Sequence, residues 1–184
     1  DPQRGDCVVA ELERLKGELP CARGEQAHEA LRFAVHFVGD IHQPLHALKE
    51  ARGGNGVAVT VTWRGLTCGP RCAPKSIATN LHAAWDSNLI TSTAWSWGAY
   101  VDRLELGWLA SPQAQGVDGG SPADWAAASH AQAQIAWNML PADHRLGDEY
   151  YERALPMVDR QLGLAGLRLA RLLNQAYAAP SCAR

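Results

Sequence analysis

Three short motifs carry the side chains that could do chemistry: His36-x-x-x-Asp40, His42-Gln43-Pro44-Leu45-His46 and His82-x-x-x-Asp86. Residues four apart on a helix lie one above the other on the same face, so each His/Asp pair aims a nitrogen and an oxygen at one spot. Pro44 ends a helical run and lets His46 turn back toward the same region. Imidazole nitrogen and carboxylate oxygen are good zinc donors at about 2.0–2.2 Å, and a catalytic zinc keeps three protein ligands and one open position. His46, His82 and Asp86 make such a set, and His36 with Asp40 begins a second. One isolated pair of this kind is more often a surface hydrogen bond or a satisfied core histidine. Two pairs and a third histidine in one small domain reverse that reading. His28, His42, His130 and His144 have no comparable pairing and read as structural or surface residues. The seven Trp residues, Trp85, Trp95, Trp97 and Trp125 among them, read as helix-packing anchors.

The elements that must position these groups are mostly helical. Val8, Val9, Leu12, Leu15 and Leu19 mark a first amphipathic helix ended by Pro20. Glu25 to Val38 predicts a second, apolar at Ala30, Leu31, Ala34, Val35 and Val38, stopping near Gly39 and Pro44. After the turn Gly53-Gly54-Asn55-Gly56, Val57, Val59 and Val61 alternate with Ala58, Thr60 and Thr62, as in a short strand that could form a hairpin through Trp63 to Thr67. Helical pattern returns over Ser76 to Ile90, Trp97 to Leu109, Ala123 to Met139 and Asp148 to Tyr177, with Pro156 kinking or splitting the last. Ser111 to Pro122 reads as an exposed loop. With no repeat and no second composition regime, residues 1–184 read as a single, mainly α domain with a small β element.

Composition narrows the function. The 184 residues are 47% hydrophobic, enough for a sizeable core, and hold no apolar stretch of membrane-spanning length. Seventeen basic residues face 19 acidic ones, for a net charge of −2. A grip on nucleic acid through Lys and Arg alone usually needs a basic excess, so an anionic substrate would be met by metal ions or a local patch. The start, Asp1-Pro2-Gln3-Arg4-Gly5-Asp6, is neither a signal peptide nor an initiator terminus, and suggests sequence upstream. Of the five cysteines, Cys7 with Cys21 and Cys68 with Cys72 are plausible short-loop bridges, leaving Cys182 to a partner upstream. The alternative is five buried thiols in a reducing compartment.

The segments His36-Phe-Val-Gly-Asp-Ile-His-Gln-Pro-Leu-His46, Gly53-Gly54-Asn55 and Asn80-Leu-His-Ala-Ala-Trp-Asp86 together resemble the zinc-dependent single-strand-specific type I nucleases, the S-one/P-one family. The similarity continues through Trp125, Tyr151, Pro156, Gln161 and Ala165-Gly-Leu-Arg-Leu-Ala170 to Leu173-Asn174. It implies a mainly α, helical phospholipase C/nuclease-type fold with a small β-hairpin, holding three zinc ions in a cleft. Position by position, it makes His36 and Asp40 ligands of one zinc, with Asp40 bridging to a second and serving as the catalytic carboxylate. His46, His82 and Asp86 match the ligands of the third, more separate ion, and Asn55 is a substrate-contact candidate. The remaining family ligands, an amino-terminal Trp, a His close behind it, and a later Asp and His, precede the region where this chain starts. Only the His46, His82, Asp86 site therefore keeps its whole expected donor set. Smaller departures are Ala51-Arg52 before the glycine turn and Ala128, where the family usually has Glu.

The resemblance further implies hydrolysis of phosphodiester bonds in single-stranded DNA or RNA to 5′-phosphate products, with 3′-nucleotidase activity. A zinc cluster lowers the pKa of bound water toward about 7, and its charge would attract phosphate without a basic protein. Expected partners are single-stranded nucleic acid and nucleotides, with the chain a monomer, not stably membrane-associated, and secreted or periplasmic. Two rival readings stand beside this one. A zinc phospholipase C shares the fold, although its last ligand pair is usually His-x-x-x-Glu and follows the preceding ligand sooner. The other is an inactive fragment or degenerate homologue binding one structural zinc.

Overall fold

A computed structural model of the protein describes residues 7–178 and Cys182. Helix α1 (Val8–Glu18) and helix α2 (Gly24–His42) pack together on either side of the Pro20 turn. α2 runs four residues beyond the predicted stop at Val38, so Asp40 lies on the helix itself. It buries Ala30, Ala34, Val38 and Ile41, whereas Leu31 and Val35, expected on the inner face, are exposed. Two 3₁₀ turns follow, Pro44–Ala47 and Glu50–Arg52.

The small β element is a three-stranded sheet. β1 (Ala58–Val61) pairs antiparallel with β2 (Ile77–Asn80), Ala58 opposite Asn80 and Val61 opposite Ile77. It also pairs in parallel with β3 (Arg145–Leu146), giving the order β2-β1-β3. The expected return through Trp63 to Thr67 does not form. Arg64 N donates to Asp148 Oδ1, and Leu66 N and Thr67 N donate to Ser92 O, leaving no ladder for that segment. β2 occupies residues that read as the start of a helix. The helical run begins only at Leu81, where the Asn80 side chain accepts from Ala83 N and caps it.

That run comprises α3 (Leu81–Ala83), a π-helical turn (Ala84–Asn88) and α4 (Leu89–Thr91). α5 (Trp97–Leu106) follows, capped by Ser96, and then α6 (Pro122–Asn138), opened by a capping box between Ser121 and Asp124 with Pro122 in its first turn. α7 (Asp148–Ala178) runs unsplit through Pro156. Trp85 and Trp125 are core anchors as expected, but Trp95 and Trp97 are 84% and 76% exposed. They flank the cap of α5 and face outward.

Two hydrophobic clusters fill the interior. One gathers Leu45, Val59, Val61, Leu81, Trp85, Tyr150 and Val158 around the sheet; the other gathers Leu12, Leu15, Val38, Ile41, Trp125 and Leu172 among α1, α2, α6 and α7. The five residues from Ile41 to Leu45 cross from one cluster to the other, and α7 spans both. Disulfides join Cys21 to Cys182 and Cys68 to Cys72, and Cys7 is a free thiol. The expected Cys7–Cys21 bridge fails for a geometric reason. The whole of α1 lies between them, about 16 Å of helix, against the roughly 6 Å between Cα atoms that a disulfide tolerates.

Candidate metal centre

Three elements bring the predicted ligands together. α2 supplies His36 and Asp40 from its last two turns, the 3₁₀ turn supplies His46, and the α3–π run supplies His82 and Asp86. The i, i+4 spacing acts as expected in both helices. His36 Nε2 lies 3.1 Å from Asp40 Oδ2, and His82 Nε2 lies 3.3 Å from Asp86 Oδ2. His46 stands between the two carboxylates, with Nδ1 3.7 Å from Asp40 Oδ1 and Nε2 3.5 Å from Asp86 Oδ1. Its ring stacks on that of His82, centroids 4.9 Å apart. All five side chains thus form one connected group.

Among the described residues, His46, His82 and Asp86 are the one set of three whose donor atoms lie within 4.8 Å of one another. Tetrahedral zinc with ligands at about 2.0–2.2 Å separates donors by roughly 3.3–3.6 Å. The 3.5 Å from His46 Nε2 to Asp86 Oδ1 and the 3.3 Å from His82 Nε2 to Asp86 Oδ2 lie in that range, each to its own carboxylate oxygen. His82 is also prepared as a ligand. Its Nδ1 lies 2.7 Å from Gly53 O, a contact that puts the proton on Nδ1 and leaves the Nε2 lone pair toward Asp86. His36 and Asp40 have no third ligand among the described residues.

Electrostatics favour opposite charges here. Contact with Asp86 raises the His46 pKa above the ordinary imidazole value, against the lowering effect of burial. Burial alone would raise the Asp86 carboxyl, but His46, the Gln43 amide and His82 together hold it below the ordinary carboxylate value. Three other histidines are held by backbone oxygens. Buried His42 is pushed down to about 4 by desolvation, and its Nδ1 donates to Val38 O. His130 and His144 each contact a backbone oxygen, of Ala47 and Ala58.

The ligands open into a cleft of 440 Å³ lined by Asp40, His46 and His82, by Arg52 and Gly53, and by an apolar wall that includes Val8, Leu48 and Ala126. Asn55 is exposed, its amide donating to Arg52 O; the same turn contributes Arg52 and Gly53 to the lining instead. Two supporting groups lie outside any ligand spacing in the sequence. Gln43 donates from Nε2 to Asp86 Oδ1 at 2.7 Å, and the Gly53 carbonyl orients His82. An amide at a helix end just before Pro44 was a readable signal for the first. The second is a backbone contact across 29 residues and has no sequence signature.

The S1/P1 Nuclease family model matches residues 1–178. Nuclease S1 of Aspergillus oryzae is 31% identical over 185 residues, covering 89% of this chain and 59% of its own length. Nuclease P1 of Penicillium citrinum is 30% identical over 175 residues, covering 83% of this chain and 59% of its own. Endonuclease 2 of Arabidopsis thaliana is 30% identical over 206 residues, covering 95% and 63%. The chain spans about three-fifths of the length of these curated relatives. With His46, His82 and Asp86 gathered beside one cleft and nearly its whole length matched, the chain belongs to the S1/P1 nuclease family.

Proposed function

We propose that this chain is the ligand-bearing part of a zinc-dependent nuclease that hydrolyses phosphodiester bonds in single-stranded DNA and RNA, giving 5′-phosphate products, and that also acts as a 3′-nucleotidase. The observation that carries the reading is the convergence of His46, His82 and Asp86 beside an open cleft in a chain of this family. His46, His82 and Asp86 would hold one zinc ion, and His36 and Asp40 would contribute to a second and third, with Asp40 as the bridging, catalytic carboxylate. When bound, zinc supplies Lewis acidity toward a phosphoryl oxygen and lowers the pKa of water.

The chain's own side chains do the rest. Asp40, flanked by His36 and His46, presents its carboxyl group to the cleft. Arg52 on the cleft wall would meet a phosphate; Asn55, on the same turn but outside the lining, is the weaker contact. The apolar wall of Val8, Leu48 and Ala126 offers a surface to an unstacked base, which a duplex cannot present. We read residues 1–184 as one domain, monomeric and secreted or periplasmic; the two disulfides support an oxidising compartment. No helix among the described residues is long and apolar enough to cross a membrane.

The test is zinc per chain together with chelator-sensitive cleavage of single-stranded DNA by the purified protein. About three zinc ions, with cleavage lost in Asp40→Asn, support the nuclease reading. About one zinc, lost in His82→Ala, with no cleavage, supports a second reading in which a single ion ties α3 to the 3₁₀ turn. That reading is favoured by the presence of only one three-donor set among the described residues.

A further inference from the structure

A helix leaves its last four carbonyls without partners in its own ladder. At the end of α2 three of these are met individually. Asp40 O accepts from Gln43 N, Ile41 O from Ser129 Oγ at 2.5 Å, and His42 O from Gln161 Nε2 at 2.7 Å. Ser129 on α6 and Gln161 on α7 are 1% and 4% exposed and reach across 88 and 119 residues of sequence. They are also joined to each other, Gln161 Nε2 donating to Ser129 Oγ at 3.2 Å. Arg160 Nη1 donates to Gln161 Oε1, which turns the amide so that its NH₂ faces α2.

The clamped peptide units, Ile41 and His42, lie between Asp40 on the helix and His46 on the following turn. They are also where the chain passes from one hydrophobic cluster to the other. We propose that Gln161 and Ser129 are positioning residues, which fix the exit of α2 and so set the spacing between the metal ligands Asp40 and His46. Neither touches a ligand side chain; both act through the backbone that carries the ligands. The inference rests on the reading of these histidines and aspartates as metal ligands. Hydrogen bonds made directly to ligand side chains typically alter metal affinity about 10–100-fold; these two act one step further out, through the backbone.

The test titrates the full chain with cobalt(II), whose ligand-field absorption reports donor geometry as well as affinity. Gln161→Met keeps the side chain's length and removes the donor; Ser129→Ala removes the donor to Ile41 O. Tyr100→Phe is the control, since it deletes another long-range, part-buried bond to α7, to Asp159 Oδ1, that involves no ligand and no backbone of α2. The expected result is a loss of about tenfold or more in cobalt affinity with an altered spectrum for Gln161→Met and Ser129→Ala, and unchanged binding in Tyr100→Phe. Wild-type affinity and spectrum in Gln161→Met, with only a lowered melting temperature, overturn the proposal. Should Gln161→Met not fold, Ser129→Ala decides by the same comparison. If cobalt binding survives His82→Ala unchanged, the metal-site reading itself fails and the inference falls with it. If binding is lost in His82→Ala yet intact in both positioning variants, the inference alone fails.

Discussion

Gln43 and Asp86, 43 residues apart, are joined at 2.7 Å from Nε2 to Oδ1, while Gln43 Oε1 accepts from Leu45 N. One amide thus caps the turn that presents His46 and holds the carboxylate that faces it. Gln43→Ala removes both bonds. The expected cost is about 1 kcal/mol of stability from the lost cap and about tenfold in metal affinity from the freed carboxylate. Calorimetric metal titration alongside thermal unfolding separates the two; unchanged affinity would show that His46 and His82 hold Asp86 unaided.

Gly53 is required twice over. Its φ of +63° is a left-handed conformation that side chains rarely adopt, and a Cβ there would sit 2.5 Å from Leu45 O. Its carbonyl is also the partner of His82 Nδ1. Gly53→Ala must therefore displace either the turn that carries His46 or the glycine loop that orients His82. A loss of about 2 kcal/mol or more in stability, with weakened metal binding, is expected in denaturant titration and metal binding assays. A variant with wild-type values in both would mean that the loop moves freely without consequence for the ligands.

How much of this was legible depended on whether the determining contact is local. The His36/Asp40 and His82/Asp86 pairs could be read because helical periodicity alone brings them to 3.1 and 3.3 Å. β2 could not. Ile77–Asn80 is a strand only because β1 lies beside it, and four residues carry too little alternation to announce that. Leu31 and Val35 fit an amphipathic stripe as well as Ala30 and Ala34 do, yet they are exposed, and spacing does not say which edge of a stripe meets the core. The Gln161 and Ser129 bonds to α2, like the Gly53 carbonyl, are long-range contacts to backbone atoms, which leave no pattern in side-chain identity.

The Cys21–Cys182 bridge ties the turn after α1 to the end of the chain, 161 residues away. Cross-linking so long a loop removes much of the unfolded chain's freedom. Cys182→Ser is expected to lower unfolding stability by about 2–5 kcal/mol. Without reductant, alkylation should label one cysteine per chain, Cys7, and peptide mapping should recover Cys21 linked to Cys182. A Cys7–Cys21 peptide would contradict the pairing.

Tyr150 predicts how stability responds to alkali. Its ring is buried beside Trp63, and its oxygen accepts from Trp85 Nε1 at 2.8 Å. Burial pushes its pKa up to about 12, against the lowering effect of the Trp85 bond. In the unfolded chain a tyrosine ionises at about 10. Below that pH both states hold the proton and the group adds no pH dependence. Between about 10 and 12 the unfolded state releases the proton while the folded state retains it, so stability falls as pH rises, by at most about 1.4 kcal/mol per unit. Tyr150→Phe removes this slope but leaves Trp85 Nε1 without its acceptor, at a cost of about 1–3 kcal/mol at neutral pH. The variant should therefore begin less stable than wild type and the gap should narrow as pH rises above about 10. Tyr100, also raised by burial and by Asp159, acts in the same direction in both proteins and cancels in the difference. Urea unfolding of the pair at several pH values measures the gap directly, and a constant gap would show that the buried phenol does not govern the alkaline limb.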